Sequence, residues 1–275
     1  MDALTALEVK IRPDRERPEV SRFLHIFHQL QNALQEIDHA YLMRGSRPVW
    51  RFGLFDTDSQ GVIVVRITAS GIAAGRPRQD LLFPVRALVD GVEQLREAPR
   101  VPNYYFEQTV NRIADVGQPR QGVQAVSVAL VNGKPGSHVA LSEPVRDNAR
   151  KAVQPKTHAY GSVRGTLDLM NARAARRRHV IEVGITEART RHIIKGIVSE
   201  EMAEEVQGLW RSRVMVGGVI TRNEQGQALR IDVREIEALP PAGAPLPAPE
   251  KLLGADPDWI GGRDVDEFLA EARRG

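Results

Sequence analysis

The segments AYGSVRGTLDLMN (159–171), HVIEVGI (179–185), RHIIKGIV (191–198), SEEMAEEVQGLW (199–210), RVMVGGVIT (213–221) and ALRIDV (228–233) decide the fold of the chain's second half. In the first, Val163, Gly165, Leu167 and Leu169 alternate with Ser162, Arg164, Thr166 and Asp168, the period of a strand with one buried face. Its glycines let a long strand bend sharply. The next two segments are rich in β-branched residues and read as strands two and three. Ser199 is placed to cap a helix whose first turn carries Glu200 and Glu201 and whose Met202, Val206 and Leu209 form one apolar stripe. Strand four follows, and RNEQGQ turns into strand five, with Leu229, Ile231 and Val233 inward and Arg230, Asp232 and Arg234 outward.

Five strands with a helix between the third and fourth is the element order of the OB-fold, a small Greek-key barrel, and residues 157–238 resemble it. Upstream, residues 10–153 read as an α+β domain. Phe23, Phe27, Leu30, Leu34, Ile37 and Tyr41 share one face of a helix from about Pro18 to Tyr41. VWRFGLFD (49–56) and GVIVVRIT (61–68) offer the sheet on which that helix lies. Two further helices are expected over Asp80–Glu97, broken or offset by Pro84, and over Asn103–Val116, with Asn103 as the cap. A hairpin of VQAVSVALV (123–131) and HVAL (138–141) and a helix from Ser142 complete the domain.

Downstream of the barrel, residues 239–250 hold five prolines (240, 241, 245, 247 and 249) and read as an extended linker. Residues 251–275 are too few for a core and read as a tail. The expected class is therefore α+β: an α+β domain, an OB-like barrel, and a Pro-rich linker with a short helical tail.

Composition agrees with a folded chain of two domains: 275 residues, 42% hydrophobic and 27% charged. No apolar run reaches the length of a membrane span, and the charged N-terminus lacks the apolar core of a signal peptide, so the expectation is a cytoplasmic protein without a membrane partner. The chain has no cysteine, which excludes disulfides, thiolate metal sites and cysteine nucleophiles. Only six of its 38 basic residues are lysine, so arginine carries the positive charge.

The patterns GxxxxGK[ST], strand-flanked GxGxxG, HExxH and GxSxG are all missing. DTDSQG (56–61) opens like a calcium loop, but Ile67 stands where the bidentate Glu is needed, and it reads as a turn. His25 and His28 lie i, i+3 without a third ligand and read as a solvated helix face. The expectation is a protein that is not an enzyme and holds no cofactor or metal.

Two features remain. NARAARRRH (171–179) joins the first two barrel strands and presents Arg173, Arg176, Arg177 and Arg178, a cluster suited to phosphates at a recognised contact loop of such barrels. Tyr160 and Trp210 are the only aromatics from 157 to 238, so the electrostatic half of a single-strand binder is present without the stacking half. The second feature is the tail, where Val265, Phe268, Leu269 and Ala272 fall at helical spacing behind a Trp259-Ile260 anchor.

WIGGRDVDEFLAEARRG (259–275) resembles the toxin-binding tails of VapBC-type antitoxins, which neutralise PIN-domain ribonucleases. The resemblance implies Trp259, Ile260, Val265, Phe268 and Leu269 as anchors on the toxin, with Arg263, Arg273 or Arg274 meeting its acidic active site. It covers only the tail; such antitoxins usually begin with a small DNA-binding module, which this chain does not resemble. The expected function is antitoxin-like inhibition of a PIN-type ribonuclease toxin. The alternative is nucleic-acid binding by the barrel and its Arg-rich loop.

Overall fold

Ile26, Phe27, Leu30, Leu34 and Ile37 recur at helical spacing and are buried, which fixes α1 (Val20–Tyr41) with that face against a sheet. The structure is a computed structural model and describes residues 5–14, 17–42, 47–70, 76–132, 134–171 and 179–241. Met1–Leu239 make up one compact unit of α+β class with two sheets.

The first sheet contains β1 (Thr5–Pro13), β2 (Val49–Thr57), β3 (Ile63–Ser70), β4 (Val123–Asn132) and two short strands, β5 (Lys134–Pro135) and β6 (Val139–Ala140). Its order is β2-β3-β1-β4-β5, with β6 also on β4. β1 lies between β3 and β4, and Leu7, Val9 and Ile11 are fully buried. These side chains join a core with α1, α2 (Arg78–Glu97), α3 (Glu107–Val116) and α4 (Glu143–Ala152). On the opposite face of β1, Glu8 accepts from Arg66 Nε at 2.7 Å and meets His138 Nε2 at 2.9 Å. Burial pushes the Glu8 carboxyl up, and these two partners outweigh it and hold it below its ordinary value.

Two expectations about the helices are corrected. α2 runs unbroken through Pro84, because the carbonyl that Pro84 leaves without a donor, Asp80 O, accepts from Arg76 Nη2 at 3.3 Å instead. α3 starts at Glu107 rather than Asn103, since Tyr104 adopts φ +66° and Tyr105 turns into the core, where its hydroxyl donates to Leu88 O at 2.7 Å. The far end of α3 is closed from another element. The buried Arg22 of α1 donates through Nη2 to the carbonyls of Asp115, Val116 and Gln118, each at 2.9 Å.

The second sheet closes into a five-stranded barrel of β7 (Thr157–Asn171), β8 (Val180–Glu187), β9 (Ile193–Ser199), β10 (Arg213–Arg222) and β11 (Ala228–Ala238). The ring runs β7-β8-β9-β11-β10 and back to β7, and every pairing is antiparallel except β9 with β11. A 3-10 turn (Glu200–Met202) and α5 (Ala203–Gly208) lie between β9 and β10. β7 serves both sides of the ring, pairing with β10 over its first part and β8 over its last. Where the two overlap stands Gly165, and a Cβ there would come within 2.5 Å of Thr186 O. The alternation expected along β7 breaks at a bulge between Leu167 and Leu169. Asp168, expected outward, is 5% exposed, and Met170 packs on the barrel core in place of Leu169.

Barrel and α+β layer are bolted together through the β10–β11 turn. Asn223 Nδ2 donates to Ala152 O at 2.8 Å, Arg230 forms a two-pronged pair with Glu107, and Leu229 of β11 is part of the α+β core. Among the described residues no helix is long and apolar enough to cross a membrane.

Candidate anion-binding site

At one end of the barrel, β7 parts from β8 just where the β8–β9 turn and the β10–β11 turn approach it. The opening is a cleft of about 420 Å³, within the range of small-molecule and anion sites. Four elements each place an arginine on it: Arg100 from the segment after α2, Arg164 from β7, Arg189 from the β8–β9 turn and Arg222 from the end of β10. Arg164 points outward because Val163 points into the barrel core. Arg222 Nη1 donates to Gly226 O at 3.0 Å, which steadies it beside the turn. Among the described residues Arg100, Arg164 and Arg189 have no carboxylate partner.

Among the described residues the one acid lining the cleft, Glu187, is already engaged. It accepts from Thr190 Oγ1 and lies 3.4 Å from Nδ1 of the buried His192. His192 Nε2 donates to Ala228 O at 2.8 Å, and its Nδ1 is 2.5 Å from Thr190 Oγ1. Glu187 ends β8, Thr190 and His192 lie in the turn that follows, and their contacts fix the turn's shape. With Glu187 so occupied, the cleft offers four guanidinium groups to an incoming anion. Guanidinium groups suit phosphate because they donate in planar, two-pronged geometry.

A buried acid, Asp168, lies away from the cleft. Asp168 accepts from Thr186 Oγ1 through Oδ2, while its Oδ1 has no hydrogen-bond partner. Burial pushes its carboxyl up to about 6, against the opposing effects of the Thr186 hydroxyl and the nearby Arg191.

Arg173, Arg176, Arg177 and Arg178, and the tail residues Trp259, Ile260, Arg263, Val265, Phe268, Leu269 and Arg273, lie outside the described residues. His25 Nε2 pairs with Asp115 Oδ2 at 2.5 Å, and among the described residues no cluster of metal-ligating side chains occurs. Asp58 closes the 56–61 turn by accepting from the backbone of Gln60 and Val62. Sequence reasoning missed Arg100, Arg164, Arg189 and Arg222 because they come from four separate segments and form no run. The available signal was an arginine at the end of β10, Arg222, and another in the turn after β8, Arg189. No protein-family model matches the chain, and no curated protein matches its sequence.

Proposed function

We propose that the barrel binds the phosphate backbone of single-stranded nucleic acid. The observation that carries this reading is the convergence of Arg100, Arg164, Arg189 and Arg222 on one cleft whose only acid among the described residues is already paired. The ring order β7-β8-β9-β11-β10, with the helix after the third strand, supports assigning the barrel to the OB-fold, a common single-strand reader. Outward positions on β7 add Tyr160, 66% exposed and two residues from Ser162 of the cleft, as one surface on which a base can stack. Binding is therefore mostly electrostatic and only weakly selective for sequence. The test is fluorescence anisotropy with a labelled single-stranded oligonucleotide over a salt series. Arg164→Ala and Arg189→Ala should each weaken binding and flatten the dependence of log K on log salt by about one. An unchanged slope in both variants would remove the cleft from the interface.

A second reading concerns the tail. The compact unit ends at Leu239, and the Trp259, Phe268 and Leu269 anchors follow the Pro-rich segment beyond it. This supports residues 251–275 as the part that holds a PIN-type ribonuclease toxin, an antitoxin-like activity carried alongside nucleic-acid binding. The test is co-purification of a co-encoded nuclease with the full chain, with residues 1–250 and with Trp259→Ala, beside an RNA-cleavage assay that includes Arg263→Ala. Normal inhibition by residues 1–250 rules the tail out.

A further inference from the structure

β2 is an edge strand, and among the described residues it pairs only with β3. Edge strands of soluble proteins are usually short or guarded by charge, because their free backbone groups invite another strand. β2 is long and apolar: Phe52 and Phe55 are each 63% exposed, Val49 is 53% and Leu54 is 38% exposed. The apolar surface continues onto α1, where Val20 and Leu24 are exposed beside Phe23. Phe23 packs edge-on to Phe55 and Phe27 edge-on to Phe52, so both β2 phenylalanines stand on the helix-covered face. In a regular strand residues 52 and 55 would face opposite ways. The bulge between Phe52 and Leu54 brings them to the same side, which sends Arg51 and Asp56 to the other.

This arrangement is self-complementary. When two β2 strands run antiparallel about a two-fold axis between Gly53 and Leu54, Phe52 of each copy lies opposite Phe55 of the other on the helix face. On the reverse face Arg51 of each copy lies opposite Asp56 of the other. Opposite charges and paired aromatics directly across a strand pair both favour association, and like charges there oppose it. No other register of β2 against itself satisfies both faces at once, and the bulge is what makes this one available.

We propose that the chain forms a two-fold dimer through antiparallel pairing of β2 with β2 of a second copy, joining the two sheets into one. The alternative occupant of this surface, a segment of the chain's own tail, would leave the full chain monomeric.

The experiment is sedimentation equilibrium of the full-length chain, with circular dichroism to verify folding of each variant. A dimer is expected, and Arg51→Asp or Asp56→Arg alone should raise its dissociation constant about tenfold or more, because each creates two like-charge contacts per dimer. The combined R51D/D56R chain exchanges the charges and should recover the dimer. A monomer at all concentrations up to that of a concentrated sample, a dimer indifferent to both single changes, or a double variant no tighter than the singles would overturn the proposal. These outcomes are independent of nucleic-acid binding, since Arg51 and Asp56 lie on the other sheet from the arginine cleft.

Discussion

The side-chain amide of Gln227 pairs with Val101 as a strand would, accepting from its backbone N–H at 2.8 Å and donating to its carbonyl at 3.1 Å. Asn223, four residues earlier in the same turn, accepts from the backbone of Gln225 and Gln227 while donating to Ala152 O. The turn that lines the arginine cleft is thus held rigid by the α+β layer, which fixes where Arg222 stands.

Gln227→Ala leaves both polar groups of Val101 without their partner at a residue that is 3% exposed. Unpaired buried groups cost about 1–3 kcal/mol, so the urea midpoint should fall accordingly with the slope unchanged. A midpoint within error of the native chain would show that water replaces Gln227 freely.

Asp168 makes the stability depend on pH. Its folded carboxyl titrates at about 6, above the ordinary 3.8, so between those values the folded chain binds the extra proton. Stability from this group is therefore greatest in acid and is lost as pH rises from about 4 through 6. Asp168→Asn keeps an acceptor for Thr186 and carries no charge. It should be more stable than the native chain at pH 7, by up to about 3 kcal/mol at 1.4 kcal/mol per pH unit, with the advantage shrinking toward pH 4. Denaturation of both proteins at the two pH values measures this; an equal difference at both would exclude titration as the cause.

Gly91 of α2 faces the ring of Tyr105, and a Cβ there would lie 2.4 Å from its Cζ. The ring is fully buried and tied by its hydroxyl to Leu88, so it has no room to withdraw. Gly91→Ala, normally favourable in a helix, should instead destabilise by about 1–3 kcal/mol through overpacking. Thermal unfolding should show a lower midpoint, and pairing the change with Tyr105→Ala should relieve the clash. A gain in stability from Gly91→Ala alone would contradict the packing described.

Periodicity made α1, the barrel strands and their order legible, because each buries one face that repeats every two or every three to four residues. β1 escaped notice as an element although Leu7, Val9 and Ile11 alternate with Glu8 and Lys10, since its partners lie at residues 63–68 and 123–132 and its charged face looks exposed until Arg66 and His138 are set against Glu8. The start of α3 was hidden because the positive φ of Tyr104 has no sequence signature in a tyrosine. α2 passes Pro84 because of a side chain eight residues earlier, a tertiary compensation no local rule contains. The arginine cleft was unreadable for the same reason: its members meet only once the barrel closes.

The ring closes by the short parallel contact of Arg230 with Lys195, Ile231 with Gly196 and Asp232 with Ile197. Every other junction is a longer antiparallel ladder, so this is the seam of a split ring. Gly196 stands in it because a Cβ would press to 2.5 Å from Val183. If the barrel breathes, it opens first between β9 and β11, and amide hydrogens on those two strands will exchange ahead of those between β10 and β11. Arg189 and His192 lie just before β9, and Arg222 and Ala228 flank the turn into β11, so opening the seam draws the two sides of the cleft apart. An anion bridging them would act as a clasp, and its grip would be measurable as slowed exchange at the seam.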